Sequence, residues 1–407
     1  MILVPGIGGG KGVRIDVGVS LLLIVALEAS LLGSGRLVVI GPLTLKMWLF
    51  LGSQMYVLDR LMAHESIKLS SVVIIISLFS ILCLDMTIGV LQHATAELIG
   101  QDVSPLLYCV MLLFFEMVVR TKNQLQLIIR IIESAAMLMS IGCIAIAALV
   151  FTGILSFVRV YGWLSSSSQE FMFRGDIGFL FYKGFLYVGV GIIFLAFERS
   201  VVAKLSIIVA ITVLIGSGTR GFIVALGAVI LLHVMTGMMS LRKKVMYVCV
   251  SCVGVLLIVV LLSSISPGKA HSDTMRINTM YQVIGRITPL SLIFGNGLGV
   301  GVPGWSGHME IAYAEIVHKQ GLLGITWWVS VFILLVTRYR RARYINYTYA
   351  QPLFLSVIFV IAESATNPFI NNPIGIFVWI IALVGLDVVS RNHLPPRFPV
   401  QSNCAVL

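Results

Sequence analysis

Hydrophobic stretches of about twenty residues recur along the whole chain, separated by mostly short polar connections. A helix needs about 20 apolar residues to cross the hydrocarbon core of a bilayer, so each stretch is a candidate membrane span. We predict about twelve spans, near residues 16–34, 38–58, 69–90, 100–119, 128–153, 178–197, 201–216, 220–239, 245–265, 321–337, 352–366 and 374–390. The pattern therefore predicts an all-α polytopic integral membrane protein, with residues 1–407 forming a single membrane domain.

Two predicted connections are much longer than the others on their side of the membrane. They cover about residues 154–177 and about residues 266–320. Long connections are uncommon in compact domains unless they carry function. We therefore expect the functional residues on these two loops.

Composition supports the membrane class and gives an orientation. Only 11% of the residues are charged, against about 25% in soluble domains. The net charge of +11 could indicate a nucleic-acid partner, but the basic residues concentrate in the short connections, as in 338–343. Because cytoplasmic connections are enriched in Lys and Arg, we predict cytoplasmic termini, an outer or periplasmic side that carries both long loops, and no nucleic-acid partner.

Charged residues within predicted spans are costly and mark candidate functional positions. Five of them fall in the outer halves of their spans: Glu28, Lys46, Asp85, Lys183 and Glu363. The outer side also collects arginines, namely Arg36, Arg159, Arg174, Arg220, Arg276 and Arg286. Arginine suits fork-like contacts with phosphate oxygens, so we interpret them as lining an outward cavity for a polyanionic group. The alternative is structural pairing with the buried carboxylates.

Four sequence segments occur in an order that resembles a known family. They are GSGTRGFIVAL (216–226), MRINTMYQVIGRITPLSLIFGNGLGVG (275–301), HMEIAYAEIVHKQGLLG (308–324) and TNPFINNPIGIF (366–377). In this order they resemble the Wzy-type polysaccharide polymerases and the related O-antigen ligases, over about residues 200–390. FGNGLG lacks a surrounding strand–turn–helix unit and is interpreted as a tight turn near the cavity.

The resemblance implies a GT-C-like membrane glycosyltransferase in the bacterial cytoplasmic (inner) membrane, with its active site facing the periplasm. Such an enzyme transfers a growing glycan from undecaprenyl diphosphate to a sugar hydroxyl of an incoming lipid-linked repeat unit. The resemblance implies no cofactor and no metal. The implied partners are the lipid-linked oligosaccharide and the bilayer, and a chain-length regulator protein is a candidate partner.

The resemblance and the chemistry together name the candidate site residues. Arg220 and Arg276 match family arginines and would stabilise charge on the leaving phosphate. Ligases keep a histidine eleven positions before the first glycine of a GxxG, and here Glu310 holds that position before Gly321, which favours a polymerase. Glu310 is our first candidate for the base and His308 the second.

Further contacts are predicted less directly. Arg159, Arg174 and Arg286 are candidate substrate contacts, as is Tyr313, which would share a helical face with Glu310. Glu315 and Lys319 form an i, i+4 pair that we interpret as structural, and we expect His318 at the membrane interface.

Two other functions remain open on the sequence alone. One is an O-antigen ligase. The other is a secondary transporter or flippase of lipid-linked oligosaccharide, with Glu28, Asp85 and Glu363 as coupling carboxylates. A transporter would favour two repeated halves, whereas the charges of this chain crowd one surface.

Overall fold

Helices make up most of the protein in the computed structural model, which describes residues 17–33, 35, 37–167, 170–174, 179–237, 240–265, 269–303 and 308–391. The helices are α1 (Val17–Leu31), α2 (Leu45–Met62), α3 (Leu69–Leu91), α4 (Ala96–Leu107), α5 (Met111–Val118), α6 (Lys122–Phe151), α7 (Phe157–Ser167), α8 (Phe185–Leu195), α9 (Val201–Gly216), α10 (Arg220–Thr236), α11 (Leu241–Ile265), α12 (Lys269–Gly285), α13 (Pro289–Phe294), α14 (Ala312–Ile345), α15 (Tyr347–Glu363) and α16 (Pro373–Arg391). A 3₁₀ turn, Tyr108–Val110, joins α4 to α5. Two short antiparallel hairpins complete the structure, β1 (Val39–Ile40) with β2 (Leu43–Thr44) and β3 (Phe171–Arg174) with β4 (Phe179–Tyr182).

The helices confirm an all-helical membrane protein. Among the described residues, six helical segments are long and apolar enough to cross a membrane: Leu69–Leu91, Ala96–Val118, Lys122–Phe151, Leu241–Ser264, Ala312–Ile345 and Pro373–Arg391. Five shorter apolar helices, from 11 to 17 residues long, accompany them. Each predicted span overlaps a helix, although those predicted at 38–58 and 178–197 begin in β-strands. The count of twelve spans stays a prediction.

The centre of the bundle is formed by α8, α15 and α16. Every residue of α8 is buried, and so is nearly every residue of α16. By contrast, α11 exposes Val250, Val253 and Leu257 to 56–65% of their surface. Apolar side chains on the outer surface are stable in lipid, because lipid tails are as apolar as the side chains themselves.

The two long predicted loops contain regular structure of their own. The first holds α7 and β3, and the second holds α12, α13 and the first turns of α14. α14 begins at Ala312, nine residues before the start of the predicted span at Gly321. The second loop is therefore largely helical, and its last part is continuous with a membrane helix.

A kink in α14 joins this helix to the FGNGLG turn. Gly321 has φ 62° and ψ −154°, which is not helical, so carbonyls in the preceding turn lose their helical partners. The amide of Asn296 donates to the His318 carbonyl at 2.8 Å, and the amide of Gly297 donates to the Lys319 carbonyl at 3.0 Å. At Gly295 (φ 75°) a Cβ atom would lie 2.1 Å from the Lys319 oxygen. The glycines allow the turn to fill the kink.

We expect Gly321→Ala to lower the melting temperature of the purified protein. An alanine here would have a left-handed φ and a Cβ atom 2.5 Å from the Gly295 nitrogen, which costs about 1–3 kcal/mol or more. The matched control is Gly142→Ala in α6, where a Cβ atom meets nothing within 4 Å. Thermal unfolding in detergent measures both variants, and equal melting temperatures would contradict the packing of the kink.

Candidate active site

A chain of ion pairs joins three of the four predicted catalytic residues. Arg220 Nη2 lies 2.7 Å from both carboxylate oxygens of Asp273. Arg276 Nη1 lies 3.4 Å from Asp273 Oδ1, and Arg276 Nε donates to Glu310 Oε2 at 2.7 Å. We call these four residues the arginine cluster. Asp273 is the member that the sequence analysis missed, although its i, i+3 spacing from Arg276 was visible.

The arginine cluster is open to ligands on its acidic side. The exposed fractions of the side chains are 20% for Arg276, 23% for Arg220, 36% for Glu310 and 43% for Asp273. The arginines are thus held more deeply than the carboxylates that bind them. An incoming anion can exchange with a half-exposed carboxylate, whereas a buried pair would resist exchange.

Close packing at the start of α10 positions Arg220. A Cβ atom at the next residue, Gly221, would lie 2.3 Å from Thr366 Oγ1 and 2.7 Å from Glu363 Oε2. The amide of Ala312, the first residue of α14, donates to the Ser364 carbonyl at 3.3 Å. The segments GSGTRG, HMEIAYAE and TNPF therefore meet at one place.

A second, buried cluster lies beside the first. Lys319 Nζ lies 2.7 Å from Asp102 Oδ1 and 2.7 Å from Glu315 Oε1. His308 Nδ1 lies 2.9 Å from the same Glu315 oxygen and 3.7 Å from Asp102 Oδ1. The amide of Gly299 donates to Asp102 Oδ2 at 2.7 Å. We call Asp102, His308, Glu315 and Lys319 the lysine cluster. It confirms the predicted Glu315–Lys319 pair and adds two partners to it.

The lysine cluster holds one ammonium group between its two carboxylates. One ligand atom each from Asp102, His308 and Glu315 could be shared by a metal, since these atoms lie within 4.8 Å of one another. The Lys319 ammonium, however, already bonds one oxygen of each carboxylate. A metal ion at these atoms would be repelled by that charge, so the geometry favours a lysine-balanced cluster.

His308 is the exposed member of the lysine cluster. Its side chain is 40% exposed, against 3–5% for the other three. The hydrogen bond with Glu315 raises the pKa of the His308 imidazole above its usual value. This bond favours the tautomer with a proton on Nδ1 and leaves Nε2 available to accept another proton.

The remaining predicted site residues lie outside the two clusters. The Tyr313 hydroxyl donates to the Ile361 carbonyl at 2.6 Å, and Arg286 Nη1 donates to the Gly301 carbonyl at 2.9 Å. Both contacts tie side chains to backbone. Arg159 lies exposed on α7, and Arg174 ends β3, its side chain outside the described residues.

One prediction about this region is wrong. His318 was expected at the membrane interface, but it is buried, with 2% of its surface exposed. The kink at Gly321 brings the FGNGLG turn over His318, and Asn296 Nδ2 lies 3.2 Å from His318 Nδ1.

Comparison with known proteins identifies a relative. No family model matches the chain. A curated "O-antigen polymerase" of Shigella flexneri is 27% identical to it over 368 residues, which is 89% of this chain and 92% of the relative. The chain is similar to an O-antigen polymerase over nearly its whole length. The finding confirms the resemblance to Wzy-type polymerases and extends it well beyond residues 200–390.

We expect Lys319→Met to destabilise the protein by about 3–5 kcal/mol, because it leaves two buried carboxylates without their cation. Adding Asp102→Asn to Lys319→Met should restore part of the loss, since one buried charge is then removed. The melting temperature in detergent measures the effect.

The control for this prediction is Arg391→Met. Arg391 pairs with Asp387 at 3.1 Å but is 61% exposed, so its loss should cost less than about 1 kcal/mol. Similar melting temperatures for Lys319→Met and Arg391→Met would contradict the structural role of the buried ammonium.

Proposed function

We propose that this protein is an O-antigen-type polysaccharide polymerase with a GT-C-like fold. It transfers a growing glycan from undecaprenyl diphosphate to a sugar hydroxyl of an incoming lipid-linked repeat unit, on the outer face of the cytoplasmic membrane. The likeness to an O-antigen polymerase over nearly the whole chain supports the activity. The observation that carries the mechanism is the Asp273 carboxylate bridging Arg220 and Arg276.

The bridging carboxylate stands in for a phosphate group of the donor. Its oxygens lie 2.7 Å from Arg220, a distance that phosphate oxygens also adopt with arginine, and 3.4 Å from Arg276. Two fixed arginines would stabilise the negative charge that develops on the leaving diphosphate. Arg220 and Arg276 fill this role.

His308 is the residue that we propose as the base. Glu315 orients its ring through Nδ1, and Nε2 remains for the acceptor hydroxyl. Glu310 instead accepts a hydrogen bond from Arg276, so we assign it to positioning that arginine. This reverses the order in which the sequence alone ranked the two candidates.

The proposed transfer step forms one glycosidic bond and breaks one sugar–phosphate bond. The acceptor hydroxyl gives its proton to His308 Nε2, and its oxygen forms a bond to the anomeric carbon of the donor. The bond from that carbon to the phosphate oxygen breaks, and its electron pair leaves with undecaprenyl diphosphate. Arg220 and Arg276 hold the charge of this leaving group.

The proposed orientation places both termini in the cytoplasm and the two clusters at the periplasmic side. In α14 the first turns carry Glu315 and Lys319, and the last turns carry the basic residues of 338–343. Because basic residues favour the cytoplasmic side, this single helix supports the orientation. A chain-length regulator protein remains a candidate partner in this proposal.

An O-antigen ligase is the second candidate function. It is favoured by one observation: a partly exposed histidine, His308, is oriented by a carboxylate only two residues from the position where ligases keep theirs. A ligase would use the same arginines and the same base but would attach the glycan to a lipid core.

We expect Arg220→Ala and Arg276→Ala each to abolish long-chain polysaccharide, because each removes a charge that stabilises the leaving diphosphate. Loss of one such contact typically costs about 10²–10³ in rate. The assay is complementation of a polymerase-deficient host that supplies the repeat unit, with chain length resolved on a gel.

The control is Arg391→Ala. Arg391 is the last residue of α16 and belongs to neither cluster, so this variant should keep normal chain lengths. Long chains restored by the wild type, with single-unit caps in the two arginine variants, support a polymerase. A wild type that restores no long chains in this host, but restores caps in a ligase-deficient host, supports a ligase. Normal chain lengths in both arginine variants would exclude their proposed role.

We expect the pH dependence of polymerisation to report His308. The base must be neutral, so the rate falls as pH drops through the pKa of His308, which Glu315 raises. Glu315→Gln removes that charge and should move the acid limb of the rate profile to lower pH. The measurement is polymer formation by purified protein between about pH 5 and 8.

The comparison variant for the pH profile is Glu310→Gln. If His308 is the base, this substitution lowers the rate and leaves the acid limb where it is. A profile that moves with Glu310→Gln and not with Glu315→Gln would assign the base to Glu310 instead.

A further inference from the structure

A cavity of about 670 Å³ lies between α2 and α4 and is bordered by His308. None of the residues of the arginine cluster lines it, and His308 is the member of the lysine cluster that does. The cavity thus reaches the proposed base from a different direction than the arginines do. It is large enough for part of a substrate and has no role in the proposed donor site.

The two walls of this cavity differ in polarity. On α2 the lining residues Met47, Phe50 and Leu51 follow i, i+3 and i+4 spacing, which gives one apolar face. Met47 and Leu51 are each 44% exposed, so this wall is open to the hydrocarbon of a membrane. A polyprenyl chain would find an apolar surface there without displacing protein contacts.

The wall formed by α4 is polar over its first turns, before Pro105 and Leu107. Glu97, Gln101 and Ser104 line the cavity and follow i, i+4 and i+7 spacing along one helical face. All three are exposed. Carboxylate, amide and hydroxyl groups in a row are suited to hydrogen bonds with sugar hydroxyls.

Basic and amide side chains stand at the remaining border. Lys183, on the turn between β4 and α8, and Asn372, before α16, line the cavity together with His308. Lys183 adds positive charge to the lining, which complements a diphosphate. The apolar wall matches the polyprenyl chain of a lipid-linked glycan, the polar wall matches its sugars, and the cation matches its diphosphate.

We propose that this cavity binds the acceptor, an undecaprenyl-diphosphate-linked repeat unit, with its polyprenyl chain along α2 and its sugars along α4. The acceptor role rests on the polymerase function proposed above. The segment 308–311 then separates the two substrates, because His308 borders the acceptor cavity and Glu310 contacts the donor arginines. The acceptor hydroxyl reaches His308 Nε2 from the cavity.

Gly100 allows a direct test by filling the cavity. It lines the cavity on α4, and a Cβ atom there meets nothing within 4 Å. Gly100→Trp therefore places an indole in the open space with the protein fold intact. The matched control is Gly52→Trp on α2, another glycine with nothing within 4 Å of its Cβ position and outside the cavity lining.

The binding probe is undecaprenyl diphosphate carrying a photoreactive diazirine in its polyprenyl chain. Full-length purified protein is reconstituted in phosphatidylethanolamine–phosphatidylglycerol nanodiscs, irradiated and mapped by peptide mass spectrometry. We expect label on residues 43–51, where the polyprenyl chain lies along α2, in the wild type and in Gly52→Trp, and about tenfold less label there in Gly100→Trp. Melting temperatures confirm that both variants are folded.

Unchanged labelling in Gly100→Trp would overturn the proposal. Labelling that an excess of unlabelled undecaprenyl diphosphate does not reduce would also overturn it, because such a site would be an ordinary lipid site. Polymer formation separates this proposal from the proposed function. If the wild type and Gly100→Trp form polymer equally well, the result contradicts the acceptor role of the cavity and supports the proposed function. If the wild type is labelled in the cavity but forms no polymer with lipid-linked repeat units, the result contradicts both the proposed function and the acceptor role, and it supports the lipid-binding site alone.

Discussion

The ion pairing of the buried Lys319 ammonium is the interaction on which the end of the bundle that holds both clusters depends. An unpaired charge at 2% exposure would be prohibitively costly. Two carboxylates compensate it, one from α4 and one from the preceding turn of α14. Asp102 also accepts a hydrogen bond from the amide of Gly299. The ion pair therefore fixes the FGNGLG turn to α4 and α14. His308 is oriented by Glu315 only while this arrangement is intact.

A small apolar contact places the two clusters side by side. Met309, fully buried, packs with Val283 of α12, Val302 and Ala314. His308 and Glu310 flank Met309 in the chain, so anchoring this one side chain holds both neighbours at the surface of the bundle. The contact with Val283 also holds α12, which carries Asp273 and Arg276, against the start of α14. Apolar packing therefore sets the distance between groups that interact by charge.

Much of the fold could be predicted from the sequence, because a helix in lipid must be apolar along its length and each such stretch is visible directly. The grouping of Arg220, Arg276 and Glu310 followed from the order of the motifs. The role of Asp102 could not be predicted, since its partner Lys319 lies 217 residues away and the surrounding stretch looks like an ordinary apolar span. The kink at Gly321 could not be predicted either, since its left-handed backbone is required only by the turn that fills the kink. His318 was misplaced for the same reason.

The carboxylate of Asp273 has a consequence for the kinetics of any phosphate ligand. Because the Asp273 carboxylate already neutralises them, the two arginines stay in place without a ligand and need not move when an anion arrives. The ligand must, however, displace a carboxylate that rebinds as soon as the anion leaves, and its net affinity is the difference between two similar contacts. In the proposed function, such ion exchange shortens the dwell time of the spent diphosphate carrier, and a resident competitor of this kind favours turnover over tight binding.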